Sequence, residues 1–101
     1  MATVRIIEMG DNLGTRDDGK IARKKIETLL AQDLSDKIVI DFAGVKMTSH
    51  SFIDESIGKL IEEHGLDFIK SKMTLKNGNE FVTLVLRAVI RSRSARPIKV
   101  A

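Results

Sequence analysis

The chain has no cysteine, tryptophan or tyrosine, a single proline and only two histidines. Without cysteine there can be no disulfide, thiol nucleophile or thiolate zinc cluster, a composition that fits a reducing cytoplasm. Two isolated histidines are too few for a transition-metal centre. Four phenylalanines are the only aromatics, which argues against the stacking platforms that hold single-stranded nucleic acid. No apolar run approaches the ~20 residues that span a bilayer, and no basic-then-apolar leader precedes Thr3. These absences lead us to expect a cytoplasmic protein with no membrane segment, no metal and no cofactor.

What is present is the composition of one ordinary globular domain. The chain has 101 residues, 43% apolar and 31% charged, so a single domain over 1–101 is expected. A chain of this size buries roughly 65% of the surface its unfolded form exposes, enough for one core. The net charge of +3 conceals an asymmetry: after Glu80 come Arg87, Arg91, Arg93, Arg96 and Lys99 with no acid. The plain reading is a solvated helix end whose cations complement the C-terminal dipole, running into a basic tail over 94–101. The functional reading is a segment, 87–99, that touches phosphates or an acidic protein face.

Along the chain, Thr3 to Met9 alternates loosely and is β-branched at its start, which predicts a first strand. Gly10 to Gly14 is a turn. Thr15 with Asp18 forms a capping-box pattern, and Ala22, Ile26, Leu29 and Leu30 recur at i, i+4, i+7, i+8, predicting a helix that ends near Gln32. Gly19 in that helix costs up to ~1 kcal/mol relative to Ala, a sign that something passes close by. Lys37 to Phe42 is a second strand, whose unbroken Ile38-Val39-Ile40 run implies burial on both faces, as in a parallel sheet. Ile53, Ile57, Leu60 and Ile61 predict a helix starting at Phe52 and stopping at His64-Gly65. Asp67 to Lys76 reads as a third strand kinked at Ser71. After Asn77-Gly78, a hairpin signal, residues 81–94 fit either a second antiparallel strand or a helix with the stripe Phe81, Val85, Ala88, Val89; the length favours helix. The order β-α-β-α-β-α predicts a small α/β domain of two or three layers on a mostly parallel or mixed sheet.

The chemistry-bearing residues gather between the second strand and its helix. Thr48, Ser49, His50 and Ser51 stand where open α/β sheets place their binding loops. Ser51 with Asp54 matches a capping box, so Ser51 has a structural role available, worth ~1 kcal/mol. The functional alternative is phosphorylation at Ser49 or Ser51, adding about −1.5 to −2 charges at a helix N-terminus. Nucleophilic catalysis finds no support, because His50 adjoins both serines in sequence and no Gly-x-Ser-x-Gly elbow exists. An enzyme is not expected. Asp54 and Glu55 suit the first-turn dipole, whereas adjacent helical residues diverge too far to share a metal ion. Arg16 opposes the dipole of its own helix, and Asp41 or Asp54 is its expected partner. The Gly10–Gly14 loop lacks the ending of a phosphate loop.

The run Ile40-Asp41-Phe42-Ala43-Gly44-Val45, followed by Ser51-Phe52-Ile53-Asp54-Glu55 and preceded by Thr15-Arg16, resembles the STAS-like domain family of prokaryotes. The resemblance covers about residues 3 to 90. That family is distantly similar to the STAS domains of anti-sigma-factor antagonists and sulfate transporters, which bind partners through the strand-to-helix loop. In the antagonists a serine at the helix start is phosphorylated by a kinase of GHKL-type ATPase fold. The resemblance therefore implies a regulatory protein-interaction module. Arg16, Thr48, Ser49, His50, Ser51, Asp54 and Glu55 would contact the partner, a GHKL-type ATPase or kinase, and Ser49 or Ser51 would be the phosphoacceptor. It departs from the antagonists' aspartate-serine-serine-glycine context, since Thr48-Ser49-His50-Ser51 has no following glycine. Beside a full STAS domain, the sequence is also expected to lack the extra N-terminal strand, which would leave a sheet edge for partner pairing. A nucleic-acid accessory acting through 87–99 is the alternative function.

Overall fold

The computed structural model describes residues 2–32 and 37–94. Three parallel strands, β1 (Thr3–Arg5), β3 (Ile38–Asp41) and β5 (Met73–Lys76), form a sheet in that spatial order. The register aligns Val4 with Ile40 and Ile40 with Leu75. Two further short strands, β2 (Asn12–Leu13) and β4 (Met47–Thr48), pair in parallel as a separate ribbon. Helix α1 (Arg16–Leu30) follows β2. After β4, α2 (His50–Ile53), a π-helical turn (Asp54–Gly58) and α3 (Lys59–His64) run on as one helical stretch. Helices α4 (Leu66–Lys72) and α5 (Glu80–Ser94) complete the order. The fold is α/β with parallel strands, as the patterning predicted.

The core lies between one sheet face and a helical layer. Val4 and Ile40 of the sheet join Ile26 of α1, Phe52, Ile53 and Ile57 of the central stretch, and Val82, Leu86 and Val89 of α5. On the other sheet face the register sets Thr3 beside Val39 and Thr74, and Arg5 beside Asp41 and Lys76. Thr3, Arg5 and Lys76 there are exposed. Ile38 and Ile40 enter the main cluster, while Val39 on the opposite face is also buried, so β3 is buried on both faces, as its unbroken apolar run implies. Among the described residues no helix is long and apolar enough to cross a membrane.

Two predicted strands are shorter than the sequence pattern implies. The first ends at Arg5, because its ladder partner β3 ends at Asp41; Ile6–Met9 is a 3-10 turn that drops Ile6 into the core. The third is a strand only over Met73–Lys76, matching the four residues of β3. Its first half is α4, where Leu66 and Ile69 at i, i+3 meet the core before Met73 opens β5. Residues 81–94 are helical, and Asn79 caps α5 by accepting from the Val82 N–H at 2.8 Å. Of the expected tail, Ser94 ends α5, and 95–101 lie outside the described residues.

Two glycines set how closely the helices approach. A Cβ at Gly19 of α1 would stand 2.8 Å from the Glu55 Cβ and 2.8 Å from the Phe52 carbonyl oxygen. A Cβ at Gly58 would meet Asp54 Oδ1 at 2.8 Å and Val89 Cγ1 at 3.0 Å. Both flanking helices therefore press on the central stretch around Asp54 and Glu55, and the close neighbour expected at Gly19 is Glu55. Helix propensity alone predicts that Gly19→Ala stabilises by ~1 kcal/mol. The clash with backbone predicts the opposite sign, a net loss of about 1–2 kcal/mol. Urea unfolding of the Gly19→Ala variant decides between them; a gain in stability would show that the contact is loose.

Candidate functional site

The loops that open α1 and α2 are stitched together. Besides the β2–β4 pairing, Asp11 carbonyl oxygen accepts from the Lys46 and Met47 N–H groups, and Leu13 carbonyl oxygen accepts from the Ser49 N–H at 2.9 Å. Thr48 is buried, held there by its pairing with Leu13. At the far side of the loop, Asn79 Nδ2 donates to the Val45 and Lys46 carbonyl oxygens. Residues 45–49 are thus fixed by backbone bonds on one side and by the Asn79 side chain on the other.

Ser49, rather than Ser51, caps α2. Its hydroxyl accepts from the Phe52 N–H at 3.0 Å and donates to the Gly14 carbonyl oxygen at 2.9 Å. The β4 pairing fixes where extended backbone ends, so the helix begins at His50 and the Ser51–Asp54 capping box does not form. His50 is exposed. Ser51 is half-buried in the first turn, and its hydroxyl makes no hydrogen bond to the described residues.

Asp54 and Glu55 point into the domain. Phe52, two residues ahead, is fully buried, and the side chains of Asp54 and Glu55 are 13% and 3% exposed. From α1, Arg16 Nη1 donates to Asp54 Oδ2 at 3.2 Å and Glu55 Oε1 at 3.3 Å. Arg23 Nη1, one α1 repeat later, donates to Glu55 Oε2 at 2.7 Å and to the Glu55 carbonyl oxygen at 2.8 Å. From α5, Arg93 donates to both Asp54 oxygens, Nε to Oδ1 at 2.8 Å and Nη2 to Oδ2 at 2.9 Å, in the planar fork geometry that guanidinium favours. Arg93 Nη1 also reaches Glu62, and Lys59 Nζ lies 3.7 Å from Glu55. The π turn lets one arginine reach both neighbouring carboxylates, which a regular helix would splay apart.

This environment sets the ionisation of the pair. The Arg93 fork, helped by Arg16 against the cost of burial, lowers the Asp54 pKa to about 2. At Glu55 burial is the largest single influence and pushes its pKa up, yet Arg23, Lys59 and Arg16 together outweigh it, and the net shift is downward. Both carboxylates are therefore charged at neutral pH. Asp41 is elsewhere: it accepts from the Asn77 side chain and the Ala43 N–H, which lower its pKa. Of the two partners expected for Arg16, Asp54 is the one it meets. Among the described residues no group of three or more His, Asp or Glu is placed to hold a metal ion.

Of the seven residues proposed from sequence to contact a partner, Thr48, Asp54 and Glu55 are buried inside the domain. Arg16 is half-exposed while paired to both carboxylates, and Ser49, His50 and Ser51 share the loop end. Sequence reasoning missed Arg23, Lys59 and Arg93. The signals were there: Arg23 is i+7 from Arg16, Lys59 is i+4 from Glu55, and Arg93 continues the buried row Val82, Leu86, Val89 at i+11. Arg93 was expected on a solvated helix end and is instead 10% exposed.

A family model described as a STAS-like domain of unknown function (DUF4325) matches residues 18–83. The chain belongs to the STAS-like family. No curated protein and no solved structure matches it. The matched span of the STAS-like domain takes in the loop, the Phe52-x-Asp54-Glu55 element and Arg23, and it stops short of Arg93.

The lowered Asp54 pKa carries a pH signature. A carboxylate whose folded-state pKa lies below its unfolded value of about 3.9 adds stability that is complete above the unfolded value and lost as pH falls through the folded one. For Asp54 that window runs from about pH 4 down to about pH 2, with a loss of about 2 kcal/mol. Urea unfolding at a series of pH values should show this decline, and Asp54→Asn should flatten it. An unchanged slope in Asp54→Asn would assign the acid sensitivity to other groups.

Proposed function

We propose that this STAS-like domain is a regulatory protein-interaction module that docks through the loop end formed by residues 10–14 and 44–51, with Ser51 as the residue that phosphorylation would switch. The observation that carries this reading is the division of labour between the two serines. Ser49 spends its hydroxyl on capping α2 and tethering Gly14, whereas half-buried Ser51 has a hydroxyl with no partner among the described residues. A phosphoryl group on Ser51 would add about −1.5 to −2 charges in the first turn of the helix, where negative charge is favoured. The loop itself is pinned on both sides, so the added charge would alter the surface a partner meets without unfolding the domain.

The resemblance to anti-sigma-factor antagonists makes a GHKL-type ATPase or kinase the proposed partner. The chain supplies the accepting hydroxyl and the docking surface, and no catalytic step is assigned to it. The nucleic-acid alternative has less to stand on: Arg93 is taken up by Asp54 and Glu62, which leaves Arg87 and Arg91 as the exposed cations of α5. Steep loss of binding with rising salt would favour that alternative.

The test incubates the protein with a purified GHKL-type ATPase and ATP. Intact-mass measurement should show a gain of about 80 Da, one phosphoryl group. The gain should vanish in Ser51→Ala and persist in Ser49→Ala, which should instead lose about 1 kcal/mol of stability through its cap. No complex and no mass gain at micromolar concentrations would remove the reading's main support.

A further inference from the structure

Helix α5 has a second face that the fold leaves without a partner. Val82, Leu86, Val89 and Arg93 are turned inward against the core and Asp54. On the outer side Phe81 is 50% and Leu84 58% exposed, and Ala88, one turn further, is exposed too. At i, i+3 and i+7 these three make one apolar row along the helix. Arg87 and Arg91 occupy the adjacent row, both exposed and with no acidic partner among the described residues. Large apolar side chains exposed in a contiguous row and rimmed by polar groups mark interaction surfaces.

From this geometry we infer that the outer face of α5 is a docking site for an amphipathic helix of a protein partner, with apolar residues seated on Phe81, Leu84 and Ala88 and acidic residues facing Arg87 and Arg91. The helix-on-helix mode follows from the row's spacing, since i, i+3, i+7 ridges receive the matching ridges of a second helix. The acidic character follows from the two unpaired arginines. A second copy of this chain fits poorly, because a two-fold pairing of the same face would set Arg87 and Arg91 against their own counterparts. A lipid surface also fits poorly: recognition of anionic membranes takes clusters of about four to eight basic residues, and this row has two. The chain's own 95–101 segment carries Arg96 and Lys99 and no acid, so it lacks the complementary charge. The platform is already rigid, since the inner face of α5 is held by the core and by the Arg93 fork, and little ordering cost falls on binding. This site is separate from the loop end and does not depend on Ser51.

Two-dimensional NMR of the isotopically labelled full chain tests it. The probe is a synthetic amphipathic peptide with leucines at i, i+3 and i+7 and glutamates flanking them. Shift changes should concentrate on Phe81, Leu84, Arg87, Ala88 and Arg91. Leu84→Asp should weaken binding at least about tenfold, and Arg87→Glu with Arg91→Glu should switch preference to a peptide whose glutamates are replaced by lysines. Ser51→Ala should leave all of this unchanged, which separates the outcome from that of the phosphorylation test. No shifts at about 1 mM peptide, or shifts elsewhere on the surface, overturn the inference. So do self-association abolished by Leu84→Asp, tighter binding to phosphatidylcholine–phosphatidylglycerol vesicles than to the peptide, and tighter binding to a DNA duplex.

Discussion

Two adjacent carboxylates, Asp54 and Glu55, buried in a π turn and shared among guanidinium groups from two other helices, govern the arrangement of this domain. Arg16 and Arg23 bring α1 to the pair, and Arg93 brings α5. Burying such charges is costly unless every oxygen is met, and here the oxygens are met by forked or charge-assisted hydrogen bonds. Gly19 and Gly58 give the room that lets both helices come this near. The consequence reaches the loop: α1 begins beside Ser49 through the Gly14 carbonyl, so fixing α1 against Glu55 also fixes the loop end. Breaking one partner would leave a buried charge exposed to its desolvation cost, which ties stability and loop geometry to the same contact.

Much of this was legible in the sequence because local rules and global packing agree. Thr15 caps α1 as its spacing with Asp18 predicts, the central β-branched run is a parallel strand, and the 81–94 segment is a helix. The readings that failed did so where tertiary pairing overrides local pattern. Ser51-x-x-Asp54 is a sound capping box, yet β4 ends one residue before Ser49 and hands the cap to it. Asp67–Lys76 has strand-like composition, yet β3 offers only four residues to pair with. Asp54 and Glu55 read as complements of the helix dipole and as partner contacts, with the divergence of a regular helix counted only against a shared metal ion. A π turn is invisible to a 3.6-residue period.

The Phe52-x-Asp54-Glu55 element carries the family resemblance, and it works from the inside, as a clasp. The two surfaces proposed for partners are the loop end with His50 and Ser51 and the apolar and basic face of α5. The two surfaces lie on elements that pack together, since α5 rests on β4 and α2.

The account stands or falls on the clasp. A double-mutant cycle between Asp54 and Arg93, using Asp54→Asn, Arg93→Met and the double variant in urea unfolding at neutral pH, measures it directly. A coupling energy of about 2 kcal/mol or more between the two positions is predicted for a partly buried, forked pair. Additive effects, with a coupling below about 0.5 kcal/mol, would contradict the claim that these charges hold α5 to the central helix.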